Sequence, residues 1–114
     1  MNINNLTIKA QEVLQSAMNL ARLDRNQADG PLHMLDAIVA EDDSVGVFLL
    51  QKLGVNVGAL RSVLRQQVER LPKVEGGEVY FSRESSEAIQ KAGDFTKNFG
   101  DKYASVEHLL LGIL

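Results

Sequence analysis

Moving the last 33 residues of the chain back by 75 positions lays them on residues 7–39 without a gap. The two histidines of the chain, His33 and His108, coincide. So do Glu12 and Glu87, Gln15 and Gln90, Ala17 and Ala92, Leu35 and Leu110, and Ile38 and Ile113. Six identities are few, but the spacing of the apolar residues repeats as well. Ala10, Val13, Leu14, Ala17, Leu20 and Ala21 recur at helical intervals, and Ser85, Ala88, Ile89, Ala92, Phe95 and Thr96 take the same places one repeat later. A stripe of this period buries one face of a helix, so the chain is expected to use one helical unit twice.

Within the first unit the helix boundaries follow from local chemistry. Thr7 is an N-cap candidate for a helix ending near Leu23, and Asp24 to Gly30 reads as a polar connection. Pro31 suits the first position of a second helix, where its missing amide hydrogen is not needed. Ser44 caps a third helix through Leu53, and Gly54 is its left-handed terminator. Asn56 caps a fourth, carrying Val57, Leu60, Val63, Leu64 and Val68 and closed by Pro72. Residues 7–71 thus form unit one. Residues 72–81 are a linker in which Gly76-Gly77 marks a turn and Val79-Tyr80-Phe81 runs extended, and residues 82–114 begin unit two. Counterparts of Ala40 to Leu71 are missing from unit two. This predicts a second repeat cut short, with Leu109, Leu110, Ile113 and Leu114 poorly covered.

Composition removes several function classes. A net charge of −3 and only 5% aromatic residues give neither the basic footprint nor the stacking surface of a nucleic-acid binder. With no cysteine, thiolate metal sites and cysteine nucleophiles are excluded. The N-terminus carries no secretory signal pattern, and no apolar run approaches the roughly 20 residues of a membrane span. The expectation is a soluble, cytoplasmic protein with no membrane partner. Two histidines lack the three or four ligands a zinc ion takes, and a shared structural role near their helix starts accounts for both. No G-x-S-x-G elbow surrounds any serine, and Ser82, Ser85, Ser86 and Ser105 cluster at expected helix starts, where capping explains them. No catalytic activity, metal or cofactor is expected.

The stretch Thr7-Ile8-Lys9-Ala10-Gln11-Glu12-Val13-Leu14, the second copy ending Glu107-His108-Leu109-Leu110-Leu111-Gly112-Ile113-Leu114, and the repeat between them resemble the Clp N-terminal domain over Leu6 to Leu114. Arg70-Leu71-Pro72-Lys73-Val74-Glu75-Gly76 and Gly58-Ala59-Leu60-Arg61 are similar to its ClpB-type branch. The branch that reads phosphorylated arginine carries a Glu before the His in both repeats. Here Glu107 meets that pattern and Leu32 does not.

The resemblance implies an all-α fold of two pseudo-twofold-related four-helix Clp repeats, the second truncated. It further implies capture of unfolded or aggregated polypeptide for the ATPase ring, a hexamer, formed by the remaining domains of the parent chaperone. The chain itself has no G-x-x-x-x-G-K-[ST] phosphate loop. By the same resemblance Thr7, Asp101 and Glu107 belong to a polar rim. Complementing a helix dipole, worth about 0.3–1 kcal/mol, accounts equally well for either carboxylate taken singly. Phe95, Phe99, Tyr103 and Leu109 are the candidates for an apolar groove beside that rim. Phe95 also fits the buried stripe. A regulatory or assembly module, or an adaptor-docking module, with no direct client contact is the competing function.

Overall fold

The computed structural model describes residues 5–42, 44–100 and 102–114. Six helices account for most of them, in the order α1 (Ile8–Leu23), α2 (Pro31–Ile38), α3 (Val45–Lys52), α4 (Val57–Glu69), α5 (Arg83–Phe99) and α6 (Val106–Ile113). Two short strands, β1 (Ala28–Asp29) and β2 (Tyr80–Phe81), pair in parallel. The anticipated caps are in place. Ala10 N donates to Thr7 Oγ1 at 3.2 Å, Val47 N to Ser44 Oγ at 3.2 Å, Ala59 N to Asn56 Oδ1 at 3.0 Å and Ser85 N to Ser82 Oγ at 3.1 Å. Each bond satisfies a first-turn amide that the helix leaves unpaired. Gly54, just past α3, has φ +85°, the left-handed geometry a helix terminator needs.

Hydrogen bonds recur at the 75-residue offset. Thr7 N donates to Ala104 O at 2.8 Å, and Ser82 N donates to Asp29 O at 3.0 Å. Leu6 bridges Ala104 as Phe81 pairs with Asp29. Arg25 and Gly100, again 75 apart, both have positive φ. Thr7, just before α1, thus meets residue 104, and Ser82, just before α5, meets residue 29. The polar connection expected at residues 24–30 contains β1 for this reason: its partner lies some 50 residues away, beyond reach of any local pattern.

Helices α2 and α6 occupy the centre. They touch each other, α1 packs on α2, α5 packs on α6, α4 covers α2, and α3 lies against α6. Met34, Ile38, Val39 and Leu109 are fully buried there. A fully buried side chain of this size contributes about 1.5–3 kcal/mol. α5 and α6 approach closely because Gly112 has no side chain: a Cβ would fall on the carbonyl oxygen of Ala88. This central placement corrects the expected exposure of α6. Leu109 and Leu110 are buried by α5, α2, α3 and α1, Ile113 is half-buried, and only Leu114, 77% exposed, remains uncovered. Val63, assigned to the buried face of α4, is exposed.

His33 and His108 play matched parts. Nδ1 of His33 accepts Gly30 N–H at 3.1 Å, and Nδ1 of His108 accepts Ser105 N–H at 2.9 Å. Each closes the first turn of its helix from the third position. The other nitrogen of His33 carries the proton and donates to Asn26 Oδ1 at 3.0 Å, while Asn26 Nδ2 donates to Pro72 O at 3.1 Å. One buried chain of bonds thus ties α2 to the beginning of the linker.

Asp29 is fully buried, and neither carboxylate oxygen has a hydrogen-bond partner among the described residues, whereas the residue 75 positions on is Ala104. Burial pushes its pKa up to about 7. The charged residues of α1 and α5, which pack against β1 and β2, and Tyr80 of β2 all lie at exposed positions. On α2, His33 is committed to Gly30 and Asn26, and Asp36 to Arg65 at 2.7 Å.

Candidate functional site

A groove of about 340 Å³ opens where α1, the end of α2, the start of α3 and the start of α6 meet. Its apolar wall comes from Val13, Ala37, Ile38, Val45 and Val106, and Lys9, Glu12, Ser16, Glu41 and Ser44 edge it. The groove forms where α1 and α3 both rest against α6, beside its first residue Val106. Val45 is 40% exposed, and it fronts the groove. Lys9 Nζ lies 3.7 Å from Glu12 Oε2, so the groove's single lysine is paired. Glu41 has no ion-pair partner among the described residues. The rim is therefore net acidic.

A larger cleft of about 520 Å³ runs along α5, with an apolar floor of Leu6, Ile89 and Ala104 edged by Ser86, Gln90, Asp94, Thr96, Lys97 and Lys102. A third, of about 280 Å³, lies between Arg22, Arg25 and the Gly76-Gly77 turn. The first is distinguished by an exposed valine, Val45, on its apolar wall and by its position at the start of α6. An apolar wall with a few polar edges is the usual make-up of a binding site.

The anticipated site residues divide. Thr7 caps α1, and its own amide holds it to Ala104, beside Tyr103 and near the start of α6. Tyr103 is 46% exposed, with Lys102 Nζ 5.6 Å from its ring centre. Glu107 stands half-buried in the first turn of α6, next to Val106 of the groove. The fold thus gathers Thr7, Tyr103 and Glu107 at one end of the domain. Phe95 is half-buried on α5. Asp101 and the side chain of Phe99 lie outside the described residues. Leu109 is corrected: it is 0% exposed and belongs to the core, because the first turns of α6 point it at the other central helix rather than at solvent.

Val13 and Val45 were missed as site residues. Val13 reads as part of the buried stripe, since periodicity cannot tell a core wall from a groove wall. A signal for Val45 is present, because α3 is apolar on more sides than one packed face needs: Val45, Val47, Phe48, Leu49 and Leu50 fall within eight residues. Ser105 was missed for a different reason. It occupies an N-cap position, but its hydroxyl does not cap the helix. Its Oγ lies 2.6 Å from Glu107 Oε2 and 2.8 Å from His108 Nδ1.

A family model described as the Clp repeat (R) N-terminal domain matches residues 5–114. The chaperone protein ClpB of Bacteroides thetaiotaomicron is 46% identical over 114 residues, and that of Porphyromonas gingivalis is 44% identical over 114. In both cases the alignment takes in 100% of this chain and 13% of the relative's length. Among solved structures, the Hsp104 N-terminal domain from Candida albicans superposes with a TM-score of 0.86 at 21% identity, covering 96% of this chain and 73% of that one. The N-domain of ClpV from Vibrio cholerae gives 0.84 at 17% identity, covering 96% and 66%. These two likenesses speak for the fold. Together with the family match along nearly the whole sequence, the ClpB relatives settle the relationship: the chain belongs to the Clp N-terminal (Clp repeat) domain family, as found in ClpB-type chaperones.

Proposed function

We propose that this domain captures unfolded or aggregated polypeptide for a ClpB-type disaggregase, holding apolar segments in the groove between α1, α3 and α6. In this reading residues 7–71 and 82–114 are related units joined by 72–81. ATP-driven work falls to the other domains of the parent, an ATPase ring operating in the cytoplasm. The observation that carries the reading is Val45, exposed on the wall of a groove whose other apolar lining, Val13, Ala37, Ile38 and Val106, is continuous with the core. Apolar burial is non-directional and reads no particular sequence, which suits a site that must accept many unfolded chains. A groove of this size holds one or two side chains, so the contacts are weak and promiscuous.

Replacing Val45 with glutamate tests this. The residue is partly exposed at the first position of α3, where a carboxylate favours the helix dipole, so the melting temperature should change by no more than about 2 °C. Affinity for a denatured client should fall roughly tenfold, the effect of about 1.4 kcal/mol of lost apolar contact. Unchanged affinity would remove the groove from the account.

One observation favours the competing reading, a docking surface for a folded adaptor or regulatory partner. Phe48 on α3 is 56% exposed outside the groove, with Lys52 Nζ 5.5 Å from its ring centre. Absence of client binding by the wild-type domain, with Phe48→Ala loosening its hold on a folded adaptor, would support that surface instead.

A further inference from the structure

The starts of α2 and α6 are built alike except for one pair of side chains. Both begin from extended backbone, φ −94° and ψ 176° at Gly30 and φ −101° and ψ −178° at Ser105. In both, the histidine three residues on accepts the amide hydrogen of that first residue. Helix α2 achieves this with glycine, so no hydroxyl is needed to start such a helix. The hydroxyl of Ser105 is therefore surplus to the fold.

Its proton has one destination. The lone pair of His108 Nδ1 is already taken up by the Ser105 amide at 2.9 Å. An ionised carboxylate is the stronger acceptor, and Glu107 Oε2 stands 2.6 Å from Oγ, the separation of a charge-assisted O–H···O bond. The bond fixes the Glu107 side chain against the first turn of α6. Its second oxygen, Oε1, has no partner among the described residues. Unit one has neither half of this device, with Gly30 and Leu32 at the corresponding places. A carboxylate serving only the helix dipole needs no such clamp, since the dipole acts on it in any rotamer.

We infer that Ser105 is a positioning residue, holding Glu107 so that its free oxygen meets a lysine of the bound client beside the apolar groove. The inference rests on the client-binding reading and specifies what that site selects. Charge complementarity points the same way. Glu107 follows Val106 of the groove wall, Glu41 on the rim is unpaired, and the groove's single lysine is held by Glu12. An apolar segment with a neighbouring ammonium group fits; an apolar segment flanked by acids is repelled.

The test uses one denatured, carboxymethylated polypeptide as probe, with its lysines either free or acetylated. The wild-type chain should bind the free-amine form about three- to fivefold more tightly, the range of one partly exposed ion pair. Ser105→Ala, Ser105→Gly and Glu107→Gln should each abolish that preference, and Ser105→Thr, which keeps the hydroxyl, should restore it. Melting temperatures of the Ser105 variants should stay within about 2 °C of wild type, because Ser105→Gly reproduces the start of α2. Full preference retained in Ser105→Ala while Glu107→Gln loses it would overturn the positioning role. Equal binding of both probes by the wild type would overturn the selection for lysine and leave the groove standing. Failure of the wild type to bind either probe would overturn this inference together with the proposed function.

Discussion

Asp29→Ala should raise the melting temperature of this domain, and the gain should widen as the pH rises. The carboxyl is buried without a partner at a place where unit two has alanine, so the fold has already shown that a methyl group fits. Its folded-state pKa, about 7, exceeds the ordinary 3.8. The folded state thus holds a proton that the unfolded chain releases. The penalty is absent below about pH 4, grows as the pH climbs and levels off above about pH 7. A displacement of this size corresponds to at most about 4 kcal/mol, and about 2–3 kcal/mol is the expected gain at pH 8. Thermal melts at matched ionic strength should show a rise of roughly 10 °C at pH 8, shrinking to a few degrees near pH 4. A gain that does not vary with pH would mean that the carboxyl stays neutral or finds a partner.

His33→Ala should produce the largest loss of stability among the changes considered. The ring is fully buried and removing it leaves the Gly30 amide and the Asn26 side chain without their partners, in addition to the cavity. Together these cost about 3–4 kcal/mol, a large share of what a domain of this size has. A pH signature accompanies it. Burial lowers the His33 pKa below its ordinary 6.5, against the opposing pull of Asp24 and Asp36. The stabilising contribution of the neutral ring is present above about pH 6.5 and is lost as the pH falls through the lowered folded-state value. Denaturant melts should show the stability difference between wild type and His33→Ala narrowing on acidification in this window. Asp29 and His33 therefore act with opposite sign over part of the acidic range, and replacing either one should expose the pH dependence of the other.

Helix starts were legible because they depend on neighbours in sequence: Thr7, Ser44, Asn56 and Ser82 each reach an amide three residues ahead. The equivalence of His33 and His108 was legible too, because one role was repeated. Strand β1 was not, since its pairing requires β2 to come back from the far end of the linker. Leu109 looked like a groove residue because a Glu-His-Leu run resembles a motif, but only the packing of α6 against α2 decides which side of the helix is covered. Capping chemistry explained Ser105 well enough in sequence to hide its bond to Glu107. Gly30 becomes informative only once both histidines are seen to close the same turn. The groove is the least legible feature of all, because it belongs to no segment and appears where four of them fail to close.

The central claim is that this groove is where a client binds, and a titration followed residue by residue tests it directly. Amide signals of the isotopically labelled domain should be recorded against increasing denatured client. Saturable shifts should centre on Val13, Ile38, Val45 and Val106 and extend to Ser105 and Glu107. Shifts confined to the α5 cleft or to the outer side of α3 around Phe48, or no shifts at all, would contradict the account.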